Sequence, residues 1–342
     1  MERVGGAVVG SVTGLAVTTA GDGVLVGIGS TLSHFGVDGR LRQTARVFHA
    51  GEIIHGIKER NGQVLVFADK AVRLLSLNAE RWGTAADTLP RHNAAHYTTR
   101  SDKIISASFL EQTKDASGDS EDAIALGYFH NFVEVWSVST ESDGAAAQSR
   151  GGLPAGDSGL TLRNTSRCPT KCLVYSMDIA GGTDGSCRVA SGTIFSDILL
   201  WCTDGKTQTG QIIHTLRGHD GVIFMARWSP DGSKIASVSD DRTVRLWTQR
   251  DGAGSQLPAV ADSGDKHHLI SKQPFECHFS SFGHRARVWD VQFAGAHLVS
   301  IAEDATAKVW DDNGVCVNTL TGHAPKNVWS VAVSALAPSQ RE

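Results

Sequence analysis

Residues 214–247, HTLRGHDGVIFMARWSPDGSKIASVSDDRTVRLW, decide the fold. They read as three short strands joined by turns. Residues 222–228 form an apolar run with a β-branched start. Ser229-Pro230-Asp231-Gly232 is a turn, because Pro presets φ at its second position and Gly tolerates positive φ at its fourth. Residues 234–239 make a second strand and Asp240-Asp241-Arg242 a tight turn. Residues 243–247 make a third strand that alternates Val, Arg and Leu. Gly218-His219 stands ahead of the unit and Trp247 closes it.

This pattern resembles a blade of a WD-repeat β-propeller, whose signature is a Gly-His pair and a Trp-Asp pair about 40 residues apart. Here the closing pair is Trp247-Thr248, so its second half is degenerate. The resemblance implies a buried polar relay in which a His, a strand Ser, a turn Asp and a strand Trp hydrogen-bond in series. These map onto His219, Ser237, Asp241 and Trp247. Such a relay suits buried groups, since an enclosed imidazole or indole N–H needs a partner.

The same arrangement recurs downstream as His284, Ser300, Asp304 and Trp310. In both units the Ser and the Asp stand ten and six residues before the Trp. A third opening, Gly322-His323, places its histidine 39 residues after His284 and runs into Val328-Trp329-Ser330. Working back, residues 171–202 read as a blade that keeps the serine, Ser191, ten residues before Trp201. There Phe195 takes the place of the turn Asp, which predicts a broken relay. Three earlier units are read at residues 8–38, at residues 46–77, and at residues 103–109 with 123–138. The expectation is an all-β, seven-bladed WD-repeat β-propeller over residues 1–342 with its last blade incomplete. Surface loops are expected near residues 78–99, 111–122, 139–170 and 250–277. The incomplete last blade implies either a weak seam in the ring or the front part of a longer protein.

The composition agrees with a globular chain. Of 342 residues, 41% are hydrophobic, 20% are charged and 37 are Gly. The net charge of −4 argues against gripping nucleic acid by bulk charge. The N-terminus is Gly-rich and lacks a basic n-region and a continuous apolar core, so it does not read as a signal peptide. No run of 18 apolar residues exists, and no membrane partner is expected. Six scattered cysteines suggest reduced thiols and a cytoplasmic protein. Cys168 and Cys172 are separated by three residues with no second ligand pair, so no metal is expected.

No catalytic constellation is legible. The histidines beside glycine read as relay members. In Asp240-Asp241 and Glu303-Asp304 the second carboxylate reads as the turn Asp and the first as its solvated neighbour. His267-His268 reads as part of a polar insertion. No glycine-rich phosphate loop follows a strand and opens a helix, so no cofactor is expected.

Particular strings narrow the family further: EIIHGI at 52–57, VASGTIFSDILLW at 189–201, LRGHDGVIF at 216–224, FGHRARVWDV at 282–291, IAED at 301–304 and NVWS at 327–330. In this order they resemble the N-terminal propeller of the WD-repeat subunits of tRNA wobble-nucleotide ribose 2′-O-methyltransferases, over about residues 8–335. The resemblance implies a non-catalytic scaffold and the front part of a longer, multi-propeller protein. Its partners would be the catalytic methyltransferase subunit, which binds S-adenosylmethionine itself, and the tRNA. Basic residues that could touch RNA are Arg42, Arg46, Lys58, Arg60, Arg217, Arg227, Arg242, Arg285, Arg287 and Lys326. Arg217, Arg285 and Lys326 flank blade openings on one face and, with Arg287, are the candidate RNA or partner contacts. Arg242 and Lys308 read as solvated. The alternative is a general WD-repeat scaffold, such as a cullin-type ubiquitin ligase substrate adaptor or a trafficking scaffold. Adaptors of that kind often end a blade in Trp-Asp-x-Arg. Residues 247–250 lack the Asp of that motif, and residues 310–313 lack its Arg.

Overall fold

The computed structural model describes residues 11–77, 98–100, 102–110, 113–114, 120–138, 160–182, 185–249, 274–323 and 327–333. Among them lie six four-stranded antiparallel sheets, arranged as blades. Blade 1 is β1 (Val12–Val17), β2 (Gly23–Ile28), β3 (Thr31–Gly36) and β4 (Leu41–Arg46). Blade 2 is β5 (Gly56–Arg60), β6 (Gln63–Phe67), β7 (Ala71–Ser76) and β8 (Thr98–Thr99). Blade 3 contains β9 (Ile104–Phe109), β12 (Ala123–Tyr128), β13 (Phe132–Val138) and β14 (Leu160–Arg167). A hairpin of β10 (Thr113–Lys114) and β11 (Ser120–Glu121) interrupts it. Blade 4 is β15 (Val174–Gly181), β16 (Cys187–Thr193), β17 (Ile198–Thr203) and β18 (Gln211–Leu216). Blade 5 is β19 (Ile223–Trp228), β20 (Lys234–Ser239), β21 (Thr243–Gln249) and β22 (Phe275–Phe282). Blade 6 is β23 (Val288–Ala294), β24 (His297–Ala302), β25 (Thr306–Trp310) and β26 (Cys316–Thr321).

The blades pack face to face on apolar side chains. The middle strands are nearly continuous buried runs, as in β12 and β17, which contribute to both neighbouring seams. One cluster joins blades 3 and 4 through Val133, Met177 and Trp201. Others join blades 4 and 5 through Leu200, Ile223 and Ile235, and blades 5 and 6 through Val238, Val288 and Val291. The inner strands β1, β5, β9, β15, β19 and β23 contact one another in succession around a central channel. β23 and β1 make no comparable contact. Residues 327–333 stand beside β23 instead, with Trp329 against Trp289 at 5.0 Å and the Gln292 amide donating to the Val331 carbonyl at 3.3 Å.

Several expectations are therefore corrected. Six blades replace the expected seven. The seventh opening is followed by residues 327–333, which pair with no strand among the described residues. The fourth strands were the hardest to read. Residues 98–99, 160–167 and 275–277, assigned to loops, belong to the outer strands β8, β14 and β22. The loop read at 111–122 carries the β10–β11 hairpin. His267-His268 and most of the loops read at 78–99, 139–170 and 250–277 lie outside the described residues. No helix among the described residues is long and apolar enough to cross a membrane.

Candidate functional site

The relay forms in blades 5 and 6, and donor chemistry fixes its direction. Indole can only donate and carboxylate can only accept. Trp247 Nε1–H donates to Ser237 Oγ at 2.8 Å, and Ser237 Oγ lies 2.8 Å from His219 Nε2. His219 Nδ1 lies 2.8 Å from Asp241 Oδ2. A neutral imidazole therefore accepts the serine proton at Nε2 and donates from Nδ1 to the aspartate. Asp241 also takes the Thr243 hydroxyl at 2.7 Å and the Asp220 N–H at 3.0 Å. Blade 6 repeats the chain: Trp310 to Ser300 at 2.7 Å, Ser300 to His284 at 2.8 Å, and His284 to Asp304 at 3.1 Å.

Local backbone chemistry sets up the relay. Arg242 and Ala305, just after the turn aspartates, adopt φ of 68° and 63°, which tightens the turn. The glycine before each histidine lets the indole approach. A Cβ at Gly283 would sit 2.7 Å from the Trp310 ring and one at Gly218 3.3 Å from the Trp247 ring. Burial pushes the pKa of His219 and His284 below the ordinary imidazole value, which keeps both neutral near pH 7. Burial works against charge on Asp241, yet the interactions with His219, the Asp220 N–H and the Thr243 hydroxyl together outweigh it and hold the carboxyl well below its usual range.

Ser237, His219 and Asp241 resemble a nucleophilic triad in their spacing. Ser237 has no solvent exposure, and its oxygen is taken up by the Trp247 indole. The arrangement is a pin that ties each opening to the neighbouring tight turn.

Blade 4 lacks the His–Asp half of the relay, as Phe195 implies, but keeps the Trp–Ser half and caps it with an asparagine. Trp201 Nε1–H donates to Ser191 Oγ at 2.9 Å, and Ser191 donates to Asn131 Oδ1 at 2.8 Å. Asn131 comes from the tight turn of blade 3, where φ is 57°, and it is 1% exposed. It replaces the missing histidine from across the seam. Its sequence context shows only a turn residue, one that tolerates positive φ. Asn131 Nδ2 reaches Cys172 Sγ at 3.3 Å, and burial raises the Cys168 thiol pKa to about 11. All six cysteines are free, and no cluster of three potential metal ligands occurs among the described residues.

Arg217, Arg285 and Arg287 lie where the openings and tight turns meet. The Arg217 side chain is 76% exposed and pairs with Asp197 at 3.5 Å. Arg287 pairs with Asp240 at 2.7 Å and lies 4.0 Å from Glu303. Arg285 is exposed, and its backbone N–H donates to Asp304 at 2.8 Å. Lys326 lies outside the described residues. The structure thus places Arg217 and Arg287 beside carboxylates, which compensates part of their charge.

The channel below that face has a charged wall, where Lys58 and Arg227, two of the basic residues the sequence singles out, meet Asp178 and Asp290. Arg227 bonds Asp290 at 2.9 Å across the seam between blades 5 and 6. Burial disfavours the guanidinium charge, but Asp290 and Asp178 outweigh it and raise its pKa. Asp178 accepts the Trp228 N–H at 2.9 Å. Lys58 lines the same cavity of about 160 Å³. Burial lowers its pKa, with Asp178 opposing.

Fold and relay together define a WD-repeat β-propeller. The WD domain, G-beta repeat family matches residues 210–248 and 275–311, which contain the two complete relays. The β-propeller domain of Cps50 (Swd1) of Myceliophteria thermophila shares this fold. Its TM-score is 0.63 at 12% identity, covering 96% of this chain and 90% of that one.

The chain is also similar to the tRNA (34-2'-O)-methyltransferase regulator WDR6. It is 25% identical to the Mus musculus protein over 339 residues and 26% identical to the Homo sapiens protein over 340. Each alignment covers 94% of this chain and 25% of the relative, so the chain spans about a quarter of the length of these curated relatives. A shorter match joins it to the nuclear distribution protein PAC1-2 of Uncinocarpus reesii, 30% identical over 153 residues, which covers 39% of this chain and 31% of that protein.

Proposed function

We propose that this chain is a non-catalytic WD-repeat scaffold of a tRNA ribose 2′-O-methyltransferase. In this reading it partners the catalytic subunit in the cytoplasm and positions tRNA so that the wobble nucleotide reaches that subunit's site. The observation that carries the reading is the similarity to the methyltransferase regulator along 94% of the chain, well beyond the relay blades that general WD repeats share. The chemistry fits a positioning role. Holding two reactants in a productive geometry lowers a barrier without contributing a reacting group. The buried, fully bonded serines of the relay offer no nucleophile, while the pinned blades give a stiff surface on which to hold a partner.

The test reconstitutes the wobble methyltransferase with and without this chain and measures ribose methylation at tRNA nucleotide 34. A rise in methylation that depends on the chain is expected. Equal methylation with and without it, together with no association of the two proteins, would overturn the proposal.

A further inference from the structure

The scaffold role leaves the mouth of the central channel unused. Successive inner strands carry an aromatic residue at their second position: Tyr175 in β15, Phe224 in β19 and Trp289 in β23. Trp329 follows Val328 in the same way beside blade 6. Their rings form a continuous arc, with centroids 5.9, 4.5 and 5.0 Å apart from Tyr175 to Trp329. Phe129 extends it at 6.1 Å from Tyr175. Tyr175 is 52% exposed and Trp329 47%, so the two ends of the arc offer ring surface to solvent. A contiguous exposed aromatic patch at a cavity mouth marks a binding surface.

The cavity floor adds a charge. Tyr175, Trp289 and Trp329 line the same cavity as Lys58. The carboxylates facing Lys58 already have partners. Asp290 bonds Arg227 and accepts the Val291 N–H at 2.8 Å, and Asp178 accepts the Trp228 N–H. Lys58 makes no hydrogen bond or ion pair among the described residues. The Trp289 Nε1–H is buried and also unpartnered. The site therefore combines flat aromatic faces, the Lys58 amine, which Asp178 and Asp290 face without bonding, and one unpartnered N–H donor. An apolar peptide would leave Lys58 unsatisfied, and a basic one would meet both Lys58 and Arg227. A planar ring carrying an anion satisfies every part.

We infer that the channel mouth binds an unpaired nucleotide of an RNA strand, with its base stacked on the aromatic arc and its phosphate held by Lys58. The choice of RNA over a free nucleotide rests on the proposed tRNA role. Stacking on aromatic side chains reads any base and requires a strand free of pairing.

The experiment measures anisotropy of a fluorescein-labelled single-stranded RNA heptamer, and of the matching duplex, titrated with the 342-residue chain. Saturable binding of the single strand, at least about tenfold tighter than the duplex, is expected, since stacking contributes roughly that much per base. Tyr175→Ala and Trp329→Ala should each weaken binding about fivefold or more. Lys58→Met should lower the slope of log K against log salt by about 0.7, the single-strand value for one phosphate contact. Tyr175 is exposed, so its variant keeps the test open if Trp329→Ala loses its melting transition. Equal binding of duplex and single strand, no binding, or wild-type affinity in the Tyr175 and Lys58 variants would overturn the inference. The same preparations are assayed for capture of the methyltransferase. Capture without RNA stacking overturns this inference alone, and stacking without capture overturns the scaffold proposal alone.

Discussion

Blades 3 and 5 share one strand plan and one closing tryptophan, yet they hold that tryptophan differently. In blade 5, Trp247 pairs across β21–β20 with Ile235, and two residues further along β20 stands Ser237. In blade 3, Trp136 pairs with Ile124, and the same step along β12 reaches Leu126, which is fully buried. With no hydroxyl inside, the Trp136 N–H turns to Glu134 at 3.1 Å on the strand surface, and Arg100 covers the ring at 3.5 Å. Glu134 also takes the Tyr128 hydroxyl at 2.6 Å. Leu126 in place of the serine, together with His130 in place of the turn aspartate and the lack of a Gly-His opening, separates a surface clamp from an interior polar pin. Blade 4 stands between them. It keeps the serine and borrows Asn131 from the blade 3 turn, so its pin crosses a seam.

The largest effects are expected where the ring is buried. Trp247→Ala and Trp310→Ala should each destabilise the chain by about 3–5 kcal/mol in urea unfolding. Trp136→Ala should have a smaller effect, because that ring is only partly buried. Equal losses at Trp136 and Trp247 would erase the distinction between blades.

Removing the serine hydroxyl sharpens the comparison. Ser237→Ala leaves the Trp247 N–H and His219 Nε2 without partners, and Ser191→Ala does the same to Trp201 and Asn131. Each should destabilise by about 1–3 kcal/mol. A stability unchanged by Ser191→Ala would show that the borrowed pin contributes nothing.

At Asn131 two variants separate backbone from side chain. Asn131→Gly tolerates the φ of 57° but loses the acceptor, whereas Asn131→Ala loses both. Alanine should therefore melt below glycine, and both below wild type. Identical melting for all three would place the Asn131 contact outside the stability of blade 4.

The smallest expected effect is on pH dependence. His219 and His284 have lowered pKa values in the fold, while the unfolded chain takes up protons below about pH 6.5. Stability therefore falls as pH drops from 7 towards 5. The lowered pKa values of Asp241 and Asp304 give stability that is present above about pH 4 and lost on further acidification. The double variant His219→Gln, His284→Gln should flatten the fall between pH 7 and 5 in thermal melts. His34 and His55, also lowered by burial, should keep some slope. An undiminished slope would mean that the relay histidines do not carry it.

Much of the ring was legible in the sequence for a physical reason. Inner and middle strands are buried on two faces, and they show as short apolar runs between turn residues. The relay was legible because its members recur at fixed offsets in two blades. The outer strands carry little such signal. β26 is exposed along its whole length and β4 is mostly exposed, so neither alternates in a readable way. Asn131 was hidden because its partner, Ser191, lies 60 residues away on the next blade. The convergence of the channel charges was hidden for the same reason. Lys58, Asp178, Arg227 and Asp290 come from four different strands, and only ring closure brings them together. The acidic neighbours of Arg217 and Arg287 were hidden too, because they come from turns distant in sequence.

The central claim is that this propeller is a scaffold for a wobble-nucleotide methyltransferase. The most direct measurement is calorimetric titration of the purified catalytic subunit into this chain, with the Trp247→Ala variant beside it. Saturable binding to wild type, weakened in the variant, is the expected result. No heat of binding to wild type under conditions where the chain is folded would contradict the claim.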